Sequence, residues 1–176
     1  MCQSASFVIT RSATLFSTIG DSHEDIITEN HLNDRTSSPD FVRVEIVPPN
    51  ANYALPFNEW EFHVDQDYLP DWWNAEWGEA ECRSSLPRWA SHHFIRKDCT
   101  LEITGEMTRF VIGCVVLIKG QTGGEVCGCD NATVNCEGQT GGEVWGFANA
   151  TVNCEGQTGG NVRGFANATV NIKDAE

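Results

Sequence analysis

Acid–base and metal chemistry need carboxylate, imidazole or thiolate groups held close together, and one stretch of this 176-residue chain crowds them. Glu59 with Glu61 and Asp65 with Asp67 are carboxylate pairs flanking His63. Such a pair could divide the acid and base roles of a hydrolase or lyase. The i, i+2 spacing is equally that of neighbours on the polar face of one strand, and this plainer reading is preferred. His63, Cys82, His92, His93 and Cys99 could be assembled into a metal site, but none shows Cys-x-x-Cys or His-x-x-x-His spacing. The "CGC" at 127–129 is closer than a typical zinc pair and reads first as a repeat variant, second as a redox pair. No Gly-rich loop opens a helix after a strand, and no nucleophile elbow appears. No catalytic residue, metal ligand or cofactor is therefore expected.

The elements that would position these groups start at Phe41. Residues 1–40 are Ser/Thr-rich, then acidic and polar, without sustained periodicity, and are expected to be a flexible leader. Residues 41–98 read as a small α+β cap. "FVRVEIV" places Val42, Val44 and Ile46 on one side and Arg43 and Glu45 on the other. "WEFHVD" sets Trp60, Phe62 and Val64 against Glu61, His63 and Asp65, so the two segments suggest an antiparallel pair. Asp71 can cap a helix carrying Trp73, Trp77 and Ala80. Ser85 and Pro87 look like the start of a second short helix with Trp89 and His93.

From Cys99 onward the chain repeats. Shifting the sequence by eighteen residues aligns 120–137, 138–155 and 156–173, with a degenerate copy at 102–119 and a partial rung at 99–103. A fixed short period signals a solenoid, and its glycines and β-branched residues exclude a helical repeat. The expected fold is mainly β: the cap, then over residues 99–173 a short β-helix of about eighteen residues per coil. Equivalent side chains should then stack. Val134, Val152 and Val170 form one inward column, and Cys136 and Cys154 another between Ile118 and Ile172, with cysteine as a small buried hydrophobe. Two amide columns are expected to ladder: Asn131, Asn149, Asn167 and Asn135, Asn153, Asn171.

Composition limits the partners. Residues 1–101 carry 16 acidic and 7 basic side chains, and residues 102–176 carry 9 and 4. Both halves are acidic, so nucleic-acid binding through phosphate neutralisation is not expected. No apolar run approaches membrane-spanning length, and no secretory signal is evident. A reduced, cytoplasmic protein is expected. The Asn-Ala-Thr triplets match the glycosylation acceptor but recur only because the repeat does.

One outward feature exceeds plain structure. Positions 109, 127, 145 and 163 read Arg, Cys, Trp, Arg, and positions 111, 129, 147 and 165 read Val, Cys, Phe, Phe. Arg109, Trp145, Phe147, Arg163 and Phe165 are thus the candidate binding surface, an apolar strip edged by arginine. Its occupant would be a host protein, a small ligand or a second copy of the chain.

Pro56 to Asn58, Trp60, Phe62, Val64, Asp65 and Leu69 to Trp72, followed by "NATV" coils, carry a resemblance. Over about residues 41–173 the chain resembles a group of uncharacterised phage and prophage proteins, in which such a cap precedes β-solenoid repeats. The resemblance implies a viral or mobile-element origin and little mechanism. The reading that follows is a non-enzymatic binding protein acting on a host component, by counter-defence inhibition, ligand sequestration or an acidic surface imitating DNA. The alternatives are a structural or adhesive rod of a virion and, further off, a hydrolase or lyase using a solenoid groove.

Overall fold

A computed structural model describes residues 4–34, 40–157 and 159–173. The chain divides into two compact units, Met1–Pro49 with Leu55–His92, and Asn50–Ala54 with His93–Glu176.

The first unit is built on an antiparallel sheet in the order β2-β1-β3-β4, from β1 (Ser6–Thr10), β2 (Thr14–Leu15), β3 (Phe41–Val47) and β4 (Glu61–Val64). The β3–β4 pair is as expected, with Val44 opposite Val64 and Ile46 opposite Phe62. The flexible leader is corrected over residues 4–34. Strand β1 pairs with β3 along its whole length, and Phe7, Val8 and Ile9 are fully buried. Helix α1 (His23–Glu29) packs Ile26 against Val8 and Phe41. Ser22 caps it, its Oγ accepting the Asp25 N–H at 3.1 Å, and Glu24 and Asp25 in the first turn suit the dipole. A five-residue strand shows too little periodicity to be recognised alone; its stability comes from a partner distant in sequence. Residues 1–3 and 35–39 of the expected leader lie outside the described residues.

The two expected short helices are one, α2 (Ala75–His93), which runs through Ser85 and Pro87. Proline removes one backbone donor, but tertiary anchors hold both halves. Arg83 donates to Phe57 O and Trp60 O, both at 3.0 Å, while Leu86 and Trp89 are fully buried. Asn74, not Asp71, receives the first-turn donor: the Trp77 N–H reaches its Oδ1 at 2.8 Å. Trp73 precedes the helix and lies on Gly78, where any Cβ would collide with the indole.

The second unit is a β-solenoid of about four turns, each of about eighteen residues, preceded by a partial rung. Strands β6 (Cys99–Leu101), β8 (Val115–Lys119), β10 (Thr133–Glu137), β12 (Thr151–Glu155) and β14 (Thr169–Lys173) form one parallel sheet. Strands β5 (Phe94–Ile95), β7 (Thr108–Ile112), β9 (Thr122–Cys129), β11 (Gly141–Gly146) and β13 (Asn161–Gly164) form the other. Val134, Val152 and Val170 pair in register, and Ile118, Cys136, Cys154 and Ile172 make the next column. The core between the sheets holds Val116, Val126, Val134, Val144 and Val152. It is thin at one level: a Cβ on Gly146 would stand 3.0 Å from Ala168 Cβ and 3.2 Å from Val152 Cγ2. A side chain there would push its neighbours back by a few tenths of an ångström, and glycine lets the sheets approach without that shift.

A buried amide column was not foreseen. Gln121 and Gln139 are almost fully buried, and each Nε2 donates to the carbonyls of the next corner, at 3.1 Å to Gly123 O and 3.2 Å to Gly141 O. Gln121 also reaches Glu143 O of the following coil at 3.3 Å. The signal was present: glutamine recurs at 121, 139 and 157, directly before each glycine corner.

One asparagine ladder forms as expected. Asn153 Nδ2 donates to Asn135 Oδ1, and Asn171 Nδ2 to Asn153 Oδ1, both at 2.8 Å. The other does not: Asn131, Asn149 and Asn167 are exposed, and the Asn131 amide turns to Asp130 at 3.4 Å instead. They stand in the corner after a left-handed residue (Asp130, Ala148 or Ala166), outside the strand pairing that would hold their amides face to face. Asn153→Ala breaks two amide bonds, one part-buried and one exposed, and should cost about 1–2 kcal/mol. Asn149→Ala should stay within about 0.5 kcal/mol, both read from urea unfolding.

Candidate functional site

Strand pairing decides which side chains share the outer face of the β5–β13 sheet. Along β11, Val144 faces the core, so Trp145 faces away from it. In β13 its partner is Arg163, and in β9 it is Cys127. The coil below is one residue short. Phe110, not Arg109, pairs with Cys127, and Ile112, not Val111, pairs with Cys129. The expected column is therefore corrected to Phe94, Phe110, Cys127, Trp145, Arg163. Arg109 takes the register of Val126, and burial pulls its guanidinium below the ordinary arginine range.

The upper coils carry an aromatic stack. Phe165 lies over both Trp145 and Phe147 with ring centroids 5.2 Å apart and planes within 17° and 12° of parallel. Trp145 and Phe147 are themselves near-parallel at 6.1 Å. The Arg163 guanidinium stands 5.9 Å from the Trp145 ring, a cation–π contact. Glu143 fixes the indole: Trp145 Nε1–H donates to its Oε2 at 3.0 Å, and Asn161 donates to its Oε1 at 3.3 Å. The strip is not uniformly exposed. Trp145 is 7 % accessible and Phe165 39 %. At the lower end Tyr53 stacks on Phe110 at 4.7 Å, so the N-terminal part of the column is covered by the solenoid unit's own chain. Four of the five expected surface residues thus converge; Arg109 does not. Sequence reasoning missed Phe110 because a one-residue contraction leaves no mark on composition, and Tyr53 because it reaches the column from a segment distant in sequence.

Of the residues weighed for catalysis, His63 Nε2 stands 3.7 Å from Glu61 Oε2, with both side chains exposed. Glu59 ends a short 3-10 helix at Phe57–Glu59, while Glu61, His63, Asp65 and Asp67 are exposed on or after β4. Cys82, His92, His93 and Cys99 are divided between the two units. The Cys127 thiol donates to Glu125 Oε1 at 3.4 Å and that of Cys129 to Cys127 O at 3.6 Å. Both are buried, and burial pushes the Cys129 thiol up, which disfavours the reactive thiolate. The seven described cysteines are free. On the other sheet, a groove of about 690 Å³ runs along Asn135, Asn153 and Asn171 with Glu137, Glu155 and Lys173. Its amides are engaged with one another along the column.

Compared with known proteins, the chain matches no family model, no curated protein and no solved structure. No helix among the described residues is long and apolar enough to cross a membrane.

The charge beside the strip supplies a pH test. Glu125 stacks in register with Glu143, and burial, with a smaller contribution from that neighbour, raises its carboxyl above the usual range. A raised carboxyl stabilises the fold below the unfolded-state value and loses that contribution as pH rises through the folded value. Glu125→Gln should therefore melt higher than the parent at neutral pH, with the gap closing as pH falls towards the ordinary glutamate range, followed by calorimetry.

Proposed function

We propose that this is a non-enzymatic binding protein of phage or mobile-element type, which engages a host protein through Trp145, Phe147, Arg163 and Phe165. The observation that carries the reading is the parallel stack of three aromatic rings beside a guanidinium, with its Phe165 end accessible. Tryptophan and arginine are the side chains that concentrate binding energy at protein interfaces, and rigid rings lose little entropy on contact. Here the rings are pre-ordered by strand register, so a partner need not organise them. Arg163 and Glu143 add directional charge at the rim. The phage origin rests on the resemblance of the cap elements alone.

The test compares host components retained by the parent chain and by the double variant Arg163→Glu, Phe165→Ser, both checked for unchanged circular dichroism. The expected result is at least a tenfold weaker Kd for the variant, about 1.4 kcal/mol or more, with binding that persists at high salt. Equal retention by both would overturn the reading. Loss of all binding with salt would instead favour the acidic surface over the aromatic one.

A further inference from the structure

We propose that the Arg163–Phe165 end of the aromatic face takes an extended peptide segment in which a tyrosine or phenylalanine lies two residues from a single aspartate or glutamate. This rests on the binding role proposed for that face and names the chemistry of its partner. The solenoid unit supplies a template for the aromatic half. Asn50–Ala54 belongs to this unit as a five-residue piece, separated in sequence from the remainder, which starts at His93. That piece lays one aromatic side chain on the column that continues to Trp145 and Arg163. Tyr53 stacks on Phe110 at 4.7 Å with planes 29° apart, and meets Phe94 edge-on at 6.3 Å.

The upper end offers the same kind of platform. Phe165 lies within 17° of the Trp145 plane and 12° of the Phe147 plane. Phe110, stacked under Tyr53, is buried, whereas Phe165 is 39 % accessible. A partner's ring can therefore lie on Phe165 as Tyr53 lies on Phe110, in the offset-parallel arrangement that aromatic pairs favour.

Arg163 sets the charge. It is exposed, and none of the ion pairs among the described residues includes it. Glu143, on the neighbouring strand, has one oxygen on the Trp145 indole and the other on Asn161. A guanidinium resting near a ring keeps its planar fork of N–H groups for a carboxylate, which it takes bidentately. Only one such charge suits the surface. Glu125 and Glu143 stand in register beside it, and the chain carries −14 overall. A phosphate or a run of acids would meet repulsion there that a lone carboxylate on Arg163 escapes. The residues flanking the pair in the partner are therefore neutral or basic. Spacing completes the match. Arg163 and Phe165 both contact Trp145 and stand two residues apart, roughly 7 Å of extended chain. An extended partner with its ring and its carboxylate also two apart meets both at once.

The experiment selects a display library of random dodecapeptides on the immobilised full chain. The expected consensus is Tyr or Phe two residues from Asp or Glu, with no second acid. A synthetic consensus peptide should bind Arg163→Gln about tenfold more weakly than the parent, and changing its acid to the amide should cost the parent as much while costing Arg163→Gln little. Phe165→Ala should stand in the same relation to loss of the peptide's ring. Peptides that bind the parent and fail on the double variant Arg163→Glu, Phe165→Ser, yet lack the ring–carboxylate pair, overturn this inference and leave the binding face standing. No enrichment over an uncoated surface also overturns it. Peptides held equally by the parent and that double variant overturn the binding face with it.

Discussion

Parallel in-register pairing between successive coils is the constraint on which the solenoid depends. Each inward valine is supported from two directions, by the same position one coil away and by the facing sheet. Column packing makes the choice at one level the choice at all levels. Where Val134, Val152 and Val170 project, the opposing positions are Gly128, Gly146 and Gly164, at which a Cβ would stand 3.0, 3.2 and 2.9 Å from the facing valine Cγ2. The corners obey the same rule. Gln121 and Gln139 hold their glycine corners through bonds that no exposed residue could keep free of water. Cys136 and Cys154 fit as apolar filler: each thiol lies against the other, and that contact with burial raises the Cys136 thiol.

The same registry prepares the aromatic face. Phe147 and Phe165 each follow the last residue of a paired strand, and the Phe165 N–H donates to Gly146 O at 2.8 Å, so the coil repeat sets one ring over the other beside Trp145. In the proposed binding role a partner would meet a surface already ordered, with Glu143 accepting the indole N–H. The cost of ordering is borne by the fold rather than at the interface. The first unit works differently. It is held by long-range contacts such as Asp21, whose carboxylate accepts both the Ser6 N–H at 2.9 Å and the Trp89 indole N–H at 3.1 Å.

That difference governs what could be read from the sequence. The solenoid was legible because its strongest contacts join identical positions, so spatial neighbours announce themselves as repeats. The Val134 and Cys136 columns and the Asn135 ladder followed directly. Arg109 was misplaced because the degenerate coil is one residue shorter, and pairing follows the strand rather than the count. Strand β1 and the joined helix α2 were missed because their support is tertiary: β3 for the one, Arg83 and Trp89 for the other. The His23–Asp65 contact was out of reach for the same reason: only the packing of α1 on the sheet brings residue 23 to residue 65.

The central claim is that an eighteen-residue coil is the physical unit, and excision tests it most directly. Removing residues 138–155, one integral coil, joins Glu137 to Gly156 and preserves every column. Urea unfolding of that shortened chain should remain cooperative, with a smaller m-value in proportion to the lost surface. Removing only residues 138–146 puts each following side chain out of phase, and should abolish cooperative unfolding of the solenoid. If the half-coil deletion unfolds as sharply and at the same midpoint as the whole-coil deletion, registry does not hold the fold together.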